Sequence, residues 1–204
     1  MNSQSPQSPQ PQPAAKPRRF LYFIIGLVLG ALIVPAAAYV YFVGGYAPVA
    51  TSAPPMPFER YLAHKALHAR LAEVKLAAPP ISPTAQNLLE GVRVYKQHCA
   101  ICHGWPHLPR SAEAAGMFPR PPRVFHGLGV TDDTPAETHW KAAYGIRLSG
   151  MPGFARSLPD KELWEVSFLL ADATNLPPPV QAALSPTNAP AFIGSAGTNQ
   201  PAAD

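Results

Sequence analysis

Two cysteines in 204 residues are too few to staple a fold. They stand at Cys99 and Cys102, and a disulfide across two intervening residues closes so small a loop that it stabilises little. A zinc centre needs another close pair of thiols or imidazoles, and the chain has no third cysteine. A thioredoxin-like redox pair belongs in a βαβ unit, and no such pattern surrounds this one. Charge is scarce as well, with Asp, Glu, Lys and Arg making up 14% of the residues. The formal net charge of +4 comes from Lys16, Arg18, Arg19 and residues 58–78, whereas residues 84–176 hold nine basic and nine acidic side chains. No basic stripe is interleaved with aromatics, which excludes a nucleic-acid surface. The 27 prolines gather in the first 17 residues, the linkers and the tail, and mark those parts as non-globular.

What is present is Cys99-Ala100-Ile101-Cys102-His103. This is the C-x-x-C-H run that attaches c-type heme. Two thiols add across the two vinyl groups of one porphyrin edge and become thioethers. Their spacing on one helical turn brings both sulfurs to that edge, and the next residue places its imidazole under the iron as the proximal ligand.

Around that run, Gly91 is followed by Tyr95 four residues on and by Cys99 four further. Ser149-Gly150-Met151-Pro152 comes later, and Leu163-Trp164 with Phe168 later still. In this order the segments resemble a class I cytochrome c, over residues 84 to about 176. The resemblance implies an all-α domain of about four short helices around one covalent heme c. It implies single-electron transfer between membrane or periplasmic redox proteins, with no substrate chemistry. It also implies a proline carbonyl that accepts a hydrogen bond from the proximal imidazole, for which Pro121 and Pro122 are the candidates.

Residues 20–43 carry no charge in 24 positions, enough for a helix to cross about 30 Å of hydrocarbon. Gly26, Gly30 and Pro35 are tolerable inside such a helix, and Gly26 with Gly30 forms a candidate packing face. Lys16, Arg18 and Arg19 precede the span, and no basic residue follows it until Arg60. That asymmetry puts the amino end in the cytoplasm and the remainder outside. It agrees with the resemblance, since bacteria attach c-type heme on the outer face of the inner membrane. The competing reading is a cleaved signal peptide, with Ala36-Ala37-Ala38 as the cleavage site. The apolar run continues past those alanines, which favours an uncleaved anchor.

The expected order is a disordered cytoplasmic tail over residues 1–19, the anchor over 20–43, and a linker over 44–83 that contains a helix at 58–78. Residues 84–176 form the cytochrome domain and 177–204 a disordered tail. In the linker helix Ala63, Leu67, Leu71 and Val74 share one side, and Pro79-Pro80 ends it. His64 and His68 share a face at a spacing that suits a metal, but no third ligand lies nearby and they read as a solvated pair. Thr84 or Ser82 caps the first domain helix, in which Leu88, Leu89, Val92 and Tyr95 repeat at helical spacing. Gly91 costs about 1 kcal/mol there against Ala, which makes sense where a second helix crosses closely. Residues 104–130 read as loop. The run from Thr131 to Pro135 starts a helix that stops at Gly145. Asp160 starts the last.

Two thioethers and His103 leave one iron position. Met151 is the expected sixth ligand, a soft thioether that favours ferrous iron and raises the potential. Gly150 and Gly153 let its backbone pass close to a porphyrin, and Pro152 stiffens it. Met117 is the rival, and His107, His126 and His139 are the bis-His candidates. Arg147 is a candidate partner for a heme propionate, since a guanidinium suits a carboxylate; otherwise it is a solvated surface residue. Tyr95 and Trp164 read as core. The alternatives to a free electron carrier are a heme subunit of a larger oxidase or dehydrogenase, and a heme enzyme or gas sensor with a displaceable distal ligand.

Overall fold

The computed structural model describes residues 18–125 and 132–193, and its chain divides into two units, Met1–Pro48 and Val49–Asp204. Among the described residues are eight α-helices and no strand, beyond one isolated bridge between Ile146 and Met151.

The first unit is helix α1, Arg18–Val43, with Pro35 inside it and none of its residues buried. It is long and apolar enough to cross a membrane. Added Cβ atoms at Gly26 and Gly30 meet nothing, so the small-residue face is unpacked among the described residues.

The second unit begins with α2, Glu59–Glu73, whose Leu71 is buried. The Glu59 carboxylate accepts from the Met56 N–H at 2.8 Å and holds its start. The helix stops five residues short of the expected end at Ala78. From Val74 the backbone is extended (φ −79, ψ 139). Val74 and Leu76 are half-buried while Lys75 and Ala77 are exposed. That alternation is the period of an extended chain, which turns every second side chain inward.

The core is the crossing of α3, Ala85–His98, with α7, Asp160–Ala171. Thr84 caps α3 by accepting from the Asn87 N–H at 3.2 Å, and Leu88, Val92, Val94 and Tyr95 are buried. Every residue of α7 from Leu163 to Leu170 is buried. Polar members of that run are satisfied: Ser167 donates to the Leu163 carbonyl at 2.7 Å, and the Glu165 carboxylate takes the Lys161 ammonium. A Cβ on Gly91 would collide with the Glu165 carbonyl oxygen and sit 3.1 Å from Leu169 Cβ, so α3 and α7 meet backbone to backbone. On the other side of α7 lies α6, Pro135–Tyr144, started by a Thr134/Glu137 capping box. His139 on α6 stacks on Trp164 at 4.0 Å between ring centroids, and Asp160 accepts from both rings.

Two segments depart from expectation. The region 104–130 contains a short helix α5, Ala112–Gly116, capped by Ser111; Thr131 and residues 126–130 lie outside the described residues. The tail is the larger correction. Pro178 and Pro179 do not end structure but start helix α8, Pro178–Ala183, since the first turn is where proline is tolerated. Short 3₁₀ turns follow at Pro186–Asn188 and Ala191–Ile193. Val180, Leu184 and Ile193 are buried, and the Ser185 carbonyl accepts from the Trp105 indole N–H at 3.0 Å. Apolar side chains every few residues, rather than helix propensity, tie this Pro- and Ala-rich strap down. Residues 1–17 and 194–204, also expected to be disordered, lie outside the described residues.

Candidate heme-binding site

The end of α3 runs directly into α4, the single turn Ala100–His103. The Cys99 carbonyl accepts from the Cys102 N–H at 3.1 Å and the His103 N–H at 2.9 Å. Both thiols and the imidazole therefore leave one turn of backbone. Ala100 is fully buried and anchors the turn. Carbonyls that α4 leaves open find side-chain donors: Tyr95 Oη gives to Gly104 at 2.6 Å and Ser111 Oγ to Ile101 at 2.5 Å. Gly104 leaves the turn at φ +81, which a residue with a Cβ rarely adopts.

Cys99 and Cys102 are free thiols. Burial, with the neighbouring Cys102, pushes the Cys99 thiol up to about 12. Burial, with Glu113, also raises Cys102. A nucleophilic redox cysteine has its pKa lowered, so the electrostatics here run against a thioredoxin-like pair. His103 moves the other way: burial lowers its pKa, against the Pro122 hydrogen bond, and keeps the ring neutral.

The structure divides the two candidate prolines. Pro122 O lies 2.9 Å from His103 Nδ1. A carbonyl only accepts, so Nδ1 carries the proton and Nε2 keeps its lone pair for a metal. Pro121 O is instead taken by Arg110 Nη1 at 2.7 Å. Arg123 reaches across the same loop to the Leu108 carbonyl at 2.5 Å. Burial lowers the Arg110 pKa, and the positive charges of Arg123 and Arg120 add to it. These loop arginines were not legible from sequence spacing, because only the folded loop gathers them.

Met151 sits on a closed loop at the end of α6. Ile146 N–H gives to its carbonyl at 3.1 Å, and Phe154 and Ala155 N–H groups give to Ala142 and Ala143. Gly145 (φ +69) packs so tightly that a Cβ would lie 2.6 Å from the Met151 carbonyl. The rival is close: a Cβ on Gly150 would lie 2.7 Å from the Met117 methyl. Met117 thus joins the proline-rich loop to the methionine loop. Arg147 is exposed on that same loop.

Among the histidine candidates, His139 is committed to Asp160 and Trp164. His107 lies in the loop after α4 with φ 61, and His126 is outside the described residues. His64 and His68 are exposed, with ring centroids 6.4 Å apart. No group of three potential ligands for a free metal ion gathers among the described residues.

The donor set fits heme c: two unpaired thiols on one turn, and beside them a neutral imidazole whose tautomer leaves Nε2 available. Residues 86–167 match the family model described as cytochrome C oxidase, cbb3-type, subunit III. Those residues form a class I c-type cytochrome domain. The cytochrome domain carries covalently bound heme c and transfers electrons, with redox proteins as its partners. The matched residues exclude α1, α2, α8 and the end of α7. No curated protein and no solved structure matches the chain.

Proposed function

We propose that this chain is a membrane-anchored mono-heme cytochrome that passes single electrons between redox proteins at the outer face of a bacterial inner membrane. Bound heme c supplies the one-electron couple. Cys99 and Cys102 would hold it through thioethers, and His103 Nε2 and Met151 Sδ would supply the iron's protein ligands. The Pro122 carbonyl keeps the His103 ring oriented and makes it a better donor. Arg147, joined by Arg110 and Arg123, supplies positive charge for the two heme carboxylates. With His103 and Met151 both committed to the iron, the chain would exchange electrons and leave no position for a substrate. α1 stays attached as the anchor, and Lys16, Arg18 and Arg19 at its amino end keep that end in the cytoplasm and the cytochrome domain periplasmic.

The observation that carries this reading is the hydrogen bond from His103 Nδ1 to Pro122 O on the turn that bears both thiols. The test is covalent heme staining in a denaturing gel after expression in a host that matures c-type cytochromes. Cys99→Ser and Cys102→Ser should each abolish the stain or leave one labile bond. Normal staining in both variants overturns the reading.

A second reading, a heme subunit within a larger oxidase, is favoured by the wording of the family model and by α2, which lies outside the match. Purification in mild detergent separates the two: co-isolation of further redox subunits in fixed ratio supports the subunit, and a lone chain supports the carrier.

A further inference from the structure

From Phe20 to Phe58 the chain contains no Asp, Glu, Lys, Arg or His. The apolar body of α1 accounts for that run only as far as Val43. The 15 residues that remain before α2 are uncharged too and carry Tyr46, Val49, Met56 and Phe58. At the start of α2 the N-cap Phe58 is 75%, Tyr61 59% and Leu62 60% exposed. Spacings of four and three residues put Tyr61 and Leu62 on one side of the helix with Lys65, and Phe58 stands just before them, with φ 62. The other side is committed to the domain, with Leu71 buried and the Arg60 guanidinium 5.5 Å from the Phe118 ring centre. The Lys65 ammonium lies 5.7 Å from the centre of the Tyr61 ring, beside the apolar side chains. Of the acids on α2, Glu59 is tied to the Met56 N–H and Glu73 lies at the far end beside Arg70.

We propose that the Phe58, Tyr61 and Leu62 face of α2 lies in the interfacial layer of the bilayer that α1 crosses, with Lys65 among anionic headgroups. Aromatic rings, a leucine and a cation on one helix side are the composition of an interfacial helix. The tether selects lipid over a protein partner. Fifteen residues reach at most about 50 Å, so the bilayer is always present at high effective concentration. The contact makes α2 a second attachment point. It sets which side of the cytochrome domain faces the membrane and leaves the other sides open to redox partners.

The test uses the full, heme-loaded chain in vesicles of phosphatidylcholine and phosphatidylglycerol. In that chain Cys99 and Cys102 are thioethers, so Leu62→Cys provides the one thiol for a polarity-sensitive fluorophore. Labelling of the parent chain would count against the thioether reading and not against this one. Lys65→Cys is the second probe, should Leu62→Cys fold poorly, and Gln86→Cys on α3 is the water-facing control. The labels on α2 should shift to the blue on reconstitution, be quenched by nitroxide on lipid chains and lose quenching by iodide. The Gln86 label should keep its emission and its iodide quenching and escape the nitroxide. An α2 label open to iodide overturns the proposal. A label shielded from both quenchers also overturns it, because a second copy of the chain then covers the face.

Discussion

Gly91 of α3 lies directly against the main-chain carbonyl of Glu165 in α7, with no room for a Cβ between them. The obstacle is backbone, which cannot swing aside as a side chain would. Alanine gains about 1 kcal/mol in helix propensity over glycine, while overpacking a tight site costs about 1–3 kcal/mol. Gly91→Ala should therefore destabilise the heme-loaded protein by up to about 2 kcal/mol, read as a lower urea midpoint with unchanged slope. Equal or greater stability in the variant would mean that the helices are not held this closely.

The two methionines separate by substitution. Met151→Ala should leave the iron five-coordinate or water-bound, lower the reduction potential and let carbon monoxide bind the ferrous form readily. Met117→Ala should keep the parent spectrum, since its methyl packs on Gly150. Loss of the sulfur–iron band in the Met117 variant alone would move the ligand to the proline-rich loop. A parent protein that already binds carbon monoxide fast would favour the sensor or enzyme alternative.

The strap after residue 176 predicts a stability effect. Ending the chain at Pro177 removes buried Val180, Leu184 and Ile193 and leaves the Trp105 indole N–H without its Ser185 partner. Each apolar side chain is worth about 1.5–3 kcal/mol, and the lost bond about 1 kcal/mol more. The shortened protein should keep covalent heme yet unfold at a clearly lower temperature, while Trp105→Phe should show only the small part of that loss. A truncation that melts with the full chain would mean that the strap contributes nothing.

Acid should weaken the start of α6. Glu137 is held below its ordinary carboxyl value of 4.5, chiefly by the Thr134 N–H; the Thr134 hydroxyl, Lys141 and His68 act the same way, and burial opposes. A depressed folded value means that the ionised group stabilises the fold above pH 4.5. That contribution disappears as pH falls through the lower folded value. Urea unfolding of the wild type against Glu137→Gln should show the largest difference above pH 4.5 and convergence below it. A difference independent of pH would exclude Glu137 as the titrating group.

Local signals in the sequence located much of this. The capping signals at Ser82 or Thr84 and in the run Thr131 to Pro135 placed two helix starts because a cap acts over three residues, and the structure assigns the caps to Thr84 and Thr134; at Gly91 the family resemblance implied the crossing that the structure shows. The choice between Pro121 and Pro122 was open, since both carbonyls belong to one extended stretch and only the folded loop assigns one to His103 and one to Arg110. The strap was hidden for the opposite reason. Its composition is that of a linker, and its order comes from partners such as Trp105, 80 residues earlier in the chain. The end of α2 was misplaced because nothing before Pro79 breaks a helix, whereas packing of Val74 and Leu76 does.

The strap also has a consequence in time. A polypeptide is made from its amino end, so α4 emerges well before Ser185, and Trp105 waits 80 residues for its hydrogen-bond acceptor. The last described turn, Ala191–Ile193, lies against α4 itself. While the chain is being synthesised, the segment with both thiols is therefore open on the side that the finished protein covers.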